Sequence, residues 1–328
     1  MKMKAAVHHA YGPPEVVHVV ELDKPTPKPN EVLIKTHATT VTSADWRLRS
    51  LNVPAGFGLA TRLMFGITKP RHPILGSEIA GVIEAVGAEV KRFKVGDPVF
   101  AFSETTMGCH AEYKCIAEDA SIAHKSANLS YPEAAALSFG GTTALSFLNR
   151  GNLQPGETIL INGASGCVGS AAVQLAKHFG AHVTGVCSTA NIKLAKSLGA
   201  DEVTDYTQQD VLASGKTYEL VMDTVGNIPY SQSRALLKDD GRLLMVVGGL
   251  PDMMQIPWIK LTSKQKVIAS PATGTAEDLR LLADLAEAGR FKPVIDRSYP
   301  LDQIVESHRY VDTGRKKGNV VITLEQNK

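Results

Sequence analysis

Two apolar patterns divide the chain. Up to about residue 125 the apolar residues stand in short alternating runs broken by glycine and proline, which is the pattern of strands and turns. Residues 3–8 read as a strand. Residues 31–41 carry Val32, Ile34, Thr36 and Ala38 in alternation, as a half-buried strand does. Between them, residues 11–16 (YGPPEV) are turn chemistry, and Pro25, Pro27 and Pro29 impose an extended link. Residues 42–47 (TSADWR) open a short helix with Ser43 as its cap. Residues 74–102 alternate short Ile/Val/Ala runs with Gly76, Gly81, Gly87 and Gly96, and residues 107–116 add a further strand. Many short strands with turns this close predict a small barrel.

The stretch 54–73 fits neither pattern. Phe57, Leu59, Leu63, Met64, Phe65 and Ile67 stand among glycines and prolines. Two readings are open: a wall of a substrate pocket or subunit contact, and a short helix packed on its own domain.

From residue 131 the period changes. Residues 131–150 read as a helix, and 158–162 as a strand buried on both faces. Gly163, Gly166 and Gly169 follow; then Val168, Ala171, Ala172, Leu175, Ala176 and Phe179 recur at helical spacing until Gly180. Further strands are expected at 182–186, 203–206, 219–224, 241–247 and 266–270, with a helix at 231–238. Helices at 275–289 and 301–311 and strands at 294–295 and 319–324 complete the chain. Strands alternating with helices give a parallel, doubly wound sheet, whose ligands lie at the strand C-termini, where VGN and VGG fall. Two domains are expected: residues 1–125 completed by 271–328, and residues 126–270.

The glycine turn carries the clearest chemistry. Helix N-termini present unpaired, partly positive N–H groups, and small residues let a pyrophosphate approach them. The spacing is GxxGxxG, with Ala164 where the usual motif has its second glycine. Strand, turn, helix and second strand in this order point to a dinucleotide. An NAD site has Asp or Glu about 20 residues on, at the end of the second strand. Here Cys187, Ser188 and Thr189 stand there, with Lys193 one turn later. Hydroxyls and a cation suit a 2′-phosphate, so NADPH is expected. The bland alternatives are a helix cap for Ser188 and a solvated face for Lys193.

Composition narrows the class. A net charge of +2 demands neither nucleic acid nor an anionic membrane. No apolar run reaches the ~18 residues needed to span a bilayer, and the N-terminal residues lack a secretion signal's apolar core, so a cytoplasmic location is expected. Cys109, Cys115, Cys167 and Cys187 form no CxxC pair and read as scattered thiols.

Many motifs in one order carry a family likeness over nearly the whole chain: YGPPEV, TSAD, LGSEIAGVIEAVG, KVGDPV, GGTTAL, NGASGCVGSAAVQLAK, SLGAD, VMDTVG and GRKKGNVVI. The sequence resembles the zinc-free quinone oxidoreductase branch of the medium-chain dehydrogenase/reductase superfamily. That resemblance implies a Rossmann doubly wound sheet inserted into a GroES-like β-rich barrel, and a homodimer formed through the sheet edge near 266–270. Zinc-dependent relatives carry Cys where this chain has Thr42, and His where it has Ser77. A later Cys expected near Phe139 and Gly140 and the four-cysteine zinc loop are also missing, so no metal is expected. The implied activity is NADPH-dependent hydride transfer to a quinone or an α,β-unsaturated carbonyl. Alternatives are an enoyl-thioester reductase, which would need a longer pocket and a tyrosine donor, and a non-catalytic NADPH-binding or regulatory protein.

By the same resemblance Ser165, Gly166, Cys167 and Val168 hold the pyrophosphate. Ser188 and Lys193 face the 2′-phosphate, and Tyr206 the adenine ribose. Thr142, Val247 and Gly248 lie near the nicotinamide, and Asn319, in the basic turn 316–319, closes over it. Arg47 reaches a phosphate or the substrate. Thr42 and Asp45 are candidates to hold the nicotinamide ribose or a substrate oxygen, with capping of a short helix as the alternative for Asp45.

Overall fold

The computed structural model describes residues 1–104 and 106–324. They form two compact units: one from Met1–Val53, Gly58–Phe139 and the chain from Gly274 onward, the other from Pro54–Phe57 and Gly140–Thr273. The chain leaves the first unit at Phe139, after the composition change near residue 130, because the short helix Tyr131–Ala135 packs on the strands Glu31–Val41 and Glu78–Val86. No helix among the described residues is long and apolar enough to cross a membrane.

The first unit is β-rich. Its larger sheet runs Ile295–Pro300, Asn319–Thr323, Glu31–Val41, Glu78–Val86, Pro98–Phe102 and Ile122–His124, with Tyr113–Ala117 also paired to Glu31–Val41. The inward positions Val32, Ile34, Ile79, Ile83 and Ile122 are fully buried, which is why the long strand alternates as it does. Strand Lys2–His8 pairs with Val17–Asp23, a strand whose exposed His18, Glu21 and Asp23 interrupt its apolar residues. Residues 107–112 are irregular and the strand starts only at Tyr113. There the backbone turns inward, Cys109 and His110 donating to Gly76 and Leu75. The helix expected over 131–150 breaks into Tyr131–Ala135 and Ser138–Arg150.

Two polar anchors fix this unit. Thr42, not Ser43, caps the helix Ser43–Ser50: its hydroxyl accepts from the Asp45 N–H, while the Asp45 carboxylate accepts from the Thr42 N–H (2.7 Å). On the same helix Arg49 is fully buried and donates to both carboxylate oxygens of Asp312 (2.6 Å each) and to the Gly12 carbonyl, tying that helix to Ile304–Asp312. Glu78 is buried as completely. Its carboxylate accepts from the Phe139 N–H and the Thr40 hydroxyl, yet burial pushes its pKa up to about 7. The stretch 54–73 does contain a helix, Gly58–Phe65, but it buries none of its residues.

The second unit is a six-stranded parallel sheet in the order Glu202–Asp205, His182–Cys187, Thr158–Asn162, Tyr218–Asp223, Leu237–Met245, Lys266–Ile268. The order reverses beside Thr158–Asn162, the switch point at which such sheets bind ligands. The stretch expected as a helix over 231–238 is a single turn, Tyr230–Ser233, because the next strand already begins at Leu237.

The helix Cys167–His178 lies against the turn that precedes it. A Cβ on Gly169 would stand 2.1 Å from the Gly163 carbonyl oxygen, while one on Gly166 would meet nothing closer than that same oxygen at 3.4 Å. Gly169→Ala is therefore expected to lower the melting temperature by about 5 °C or more, and Gly166→Ala to leave it within about 2 °C. Equal melting curves for the two variants would contradict the packing. Glu78 gives a second expectation. Its folded pKa lies above the ordinary 4.5, so the native state holds a proton that the unfolded chain loses. Stability falls as pH rises from about 4.5 to about 7, by on the order of 3 kcal/mol from this group. Urea midpoints of Glu78→Gln should lack that part of the slope; matching pH profiles would assign it elsewhere.

Candidate functional site

The strand Thr158–Asn162 ends in a turn that only glycine makes easily: Gly163 has φ of 82°. The N–H groups of Gly163 and Ala164 both donate to the Val186 carbonyl (3.1 and 3.0 Å), which locks the turn to the end of the neighbouring strand His182–Cys187. The helix Cys167–His178 begins after Gly166, and no side chain caps it. Its partly positive end is thus left to the solvent side of the turn, where Ser165 and Gly166 are half-buried and Cys167 and Val168 buried. Gly140 allows a second close approach: a Cβ there would be 2.7 Å from the Cys167 Sγ. The helix bearing buried Thr142 thereby rests on the start of the glycine-turn helix. This open, uncapped cradle fits the pyrophosphate that the sequence calls for.

The loop after His182–Cys187 supplies the second part. Ser188 is half-buried, Thr189–Asn191 makes one helical turn, and Lys193 is exposed on the helix Ile192–Ser197. The side-chain amide of Asn191 donates to the hydroxyl oxygens of both Ser165 (3.1 Å) and Ser188 (3.3 Å). Sequence reading passed over Asn191, because nothing in its spacing shows that the two serines converge on it.

A carboxylate does stand at this strand end. Asp205 pairs in register with Cys187 from the adjacent parallel strand, a position that the distance rule applied to one strand does not examine. Its oxygens are engaged: Thr189 donates to one (2.5 Å), and the N–H and hydroxyl of Thr207 donate to the other (2.9 and 2.7 Å). These bonds hold its pKa below the ordinary value, so Asp205 is an anion tied into its own loop. Thr189 is turned toward Asp205, so its hydroxyl is engaged within the loop, while Ser188 bonds the Asn191 amide. Tyr206, the next residue, is 62% exposed.

The third part lies at the ends of the following strands. Asp223 is fully buried and accepts from Val225, Gly226 and Ile228 N–H groups and from the Asn162 amide (2.9 to 3.1 Å). One carboxylate thus shapes the VGN loop and pins it to the end of the glycine-turn strand. Gly226, with φ of 86°, packs so closely that a Cβ would meet the Val247 side chain at 2.7 Å. Val247 and Gly248 are half-buried at this end of the sheet.

The remaining four residues belong to the β-rich unit. Thr42 is buried and donates both its N–H and its hydroxyl to one Asp45 oxygen. The other Asp45 oxygen accepts from the Gly76 N–H (2.8 Å). Asp45 therefore serves as the helix cap and as a brace for Gly76. Arg47 is half-buried with its guanidinium 5.6 Å from the Trp46 ring. Asn319 is buried, its amide donating to the Ala136 and Val294 carbonyls (3.3 and 3.0 Å). The neighbouring Lys316 ammonium bonds the Gly318 carbonyl of its own turn. Among the described residues no group of three or more His, Cys, Asp or Glu is placed to hold a metal ion.

Residues 28–144 match the alcohol dehydrogenase GroES-like domain, and residues 198–322 match the family described as zinc-binding dehydrogenase. The chain is 33% identical to the chloroplast envelope quinone oxidoreductase homolog of Arabidopsis thaliana, over 98% of each chain. It is also 33% identical to 2-methylene-furan-3-one reductase of Solanum lycopersicum, over 98% of this chain and 79% of that one. The solved quinone oxidoreductase of Coxiella burnetii superimposes with a TM-score of 0.88 at 29% identity, covering 99% of this chain and all of the other. With the glycine turn, the reversing parallel sheet and the β-rich unit in place, these likenesses settle the family: the chain belongs to the quinone oxidoreductase branch of the medium-chain dehydrogenase/reductase superfamily, whose members are NAD(P)H oxidoreductases.

Proposed function

We propose that the chain is an NADPH-dependent reductase that transfers hydride to a quinone or to an alkene conjugated with a carbonyl, without zinc. The observation that carries the cofactor choice is the loop Ser188–Lys193. It offers a hydroxyl and a cation, while the carboxylate beside it, Asp205, is bonded to Thr189 and Thr207. A free carboxylate would repel a 2′-phosphate; one whose charge is shared among three hydrogen bonds does so less. Gly166 and the helix start hold the pyrophosphate, and Ser188 and Lys193 hold the 2′-phosphate. Bound in this cradle, reduced nicotinamide supplies the hydride.

The zinc-free reading rests on donor types. Thr42 and Ser77 offer hydroxyls where zinc-dependent relatives place a thiolate and an imidazole, and zinc prefers the latter pair. Thr42 is moreover bound to Asp45 as a cap. An acceptor that needs little polarisation fits such a site: the names of the relatives above mention a quinone and a furanone. Arg47, Thr142, Val247, Gly248, Tyr206 and Asn319 are proposed as dinucleotide contacts, and the protein as a cytoplasmic homodimer.

Replacing Ser188 and Lys193 together with Ala should raise the Kd for NADPH by about thirtyfold or more and leave NADH within about threefold. An unchanged preference would move the 2′-phosphate elsewhere. Chelator-treated protein should oxidise NADPH with 9,10-phenanthrenequinone and 1-octen-3-one and be far slower with crotonyl-CoA. Faster turnover of the thioester would reassign the acceptor class. Tight NADPH binding with no turnover of any of the three would point to a binding protein.

A further inference from the structure

The two serines assigned to the cofactor's two phosphate regions come from different segments, yet one side chain holds both. We infer that Asn191 is a positioning residue for NADPH. It fixes the hydroxyls of Ser165, on the pyrophosphate turn, and Ser188, on the 2′-phosphate loop, so that both point their O–H groups at phosphate. The inference deepens the cofactor reading above and rests on it.

The argument runs through hydrogen-bond inventory. A side-chain amide has two N–H donors, and in Asn191 they go to the Ser165 and Ser188 oxygens at 3.1 and 3.3 Å. A serine hydroxyl left alone rotates freely. Once its oxygen accepts a bond from Asn191, its own hydrogen must point away from the amide. Phosphate oxygens only accept, so a hydroxyl useful to them must donate. Asn191 thus converts two rotors into two oriented donors before any ligand arrives, which lowers the ordering cost of binding.

The rest of the residue supports this. Its backbone N–H donates to the Ser188 carbonyl (2.9 Å), so the amide is carried on a closed turn. Its Oδ1 is buried and has no hydrogen-bond partner. An orphaned buried acceptor is a net cost, so the local fold does not favour this amide for its own sake. What the amide delivers is the pair of donated bonds. A negative charge at the same position would reverse them: in Asn191→Asp both serines would donate inward, and the carboxylate would face the phosphates.

The test is a double-mutant cycle read by calorimetric Kd, with melting curves of each free variant as the fold control. Asn191→Ala should weaken NADPH by about tenfold and NADH by about threefold, since NADH has no 2′-phosphate to lose Ser188. In a Ser188→Ala background, Asn191→Ala should weaken NADPH only by the NADH factor. Asn191→Asp should weaken NADPH by about a hundredfold. Should Asn191→Ala melt early, Asn191→Ser, which keeps a polar group on the turn, takes its place in the cycle. Effects of Asn191 and Ser188 that simply multiply, or equal losses for both dinucleotides in every background, overturn the inference. A wild-type chain that binds NADH as tightly as NADPH overturns the cofactor reading instead. In that case the cycle of Asn191 with Ser165→Ala, read with NADH, decides the clamp on the pyrophosphate side.

Discussion

Everything at the candidate site depends on how near the helix Cys167–His178 comes to the turn in front of it. The Gly163 carbonyl oxygen occupies the place a Gly169 side chain would need, and Gly163 itself takes a left-handed conformation to send the chain back under the helix. Two donors to the Val186 carbonyl then fasten the turn to the next strand. This arrangement has one free parameter, the space over Gly166. The fold closes the space on either side of that residue and leaves it open at the helix end, where the backbone dipoles add up. A capping side chain would satisfy the helix and block the ligand; glycine does neither, so the helix end stays incomplete in the free protein.

Electrostatics at the neighbouring loop follow from the same sheet. Parallel register brings Asp205 alongside Cys187, so a carboxylate stands beside the loop that begins at Ser188. What decides its influence is where its hydrogen bonds go. Two threonines, Thr189 and Thr207, donate to its oxygens, while the Ser188 hydroxyl is engaged instead by Asn191. The selectivity proposed for this loop rests on a few hydroxyls rather than on net charge, which is small for the whole chain.

These differences explain what could be read from the sequence. The glycine turn, the alternation of strands and helices and the long strand Glu31–Val41 were legible, because backbone sterics and burial leave fixed spacings in a sequence. The strand Val17–Asp23 was not, since VHVVELD presents polar residues on its open face and lies just past a proline turn. Ser43 looked the better cap, but the helix starts one residue earlier and Thr42 takes the role with Asp45 as its partner. Asn191, Asp205 and Asp223 act across strands, so their roles depend on register and not on any interval along the chain. Asn191 meets Ser165 only because adjacent strands end level.

The β-rich unit constrains the acceptor in a different way. Thr42 gives both of its protons to one oxygen of Asp45, and Asp45 gives its other oxygen to Gly76. Breaking that set to activate a substrate would release a buried carboxylate, a cost of several kcal/mol. Thr42 and Asp45 are therefore committed to holding the backbone, and neither is left to polarise a carbonyl or to deliver a proton. An acceptor whose reduction is favourable once a hydride is aligned with it suits such a unit better than a simple ketone or alcohol. Quinones and conjugated enones, the acceptors proposed above, meet that condition by their own electronic structure.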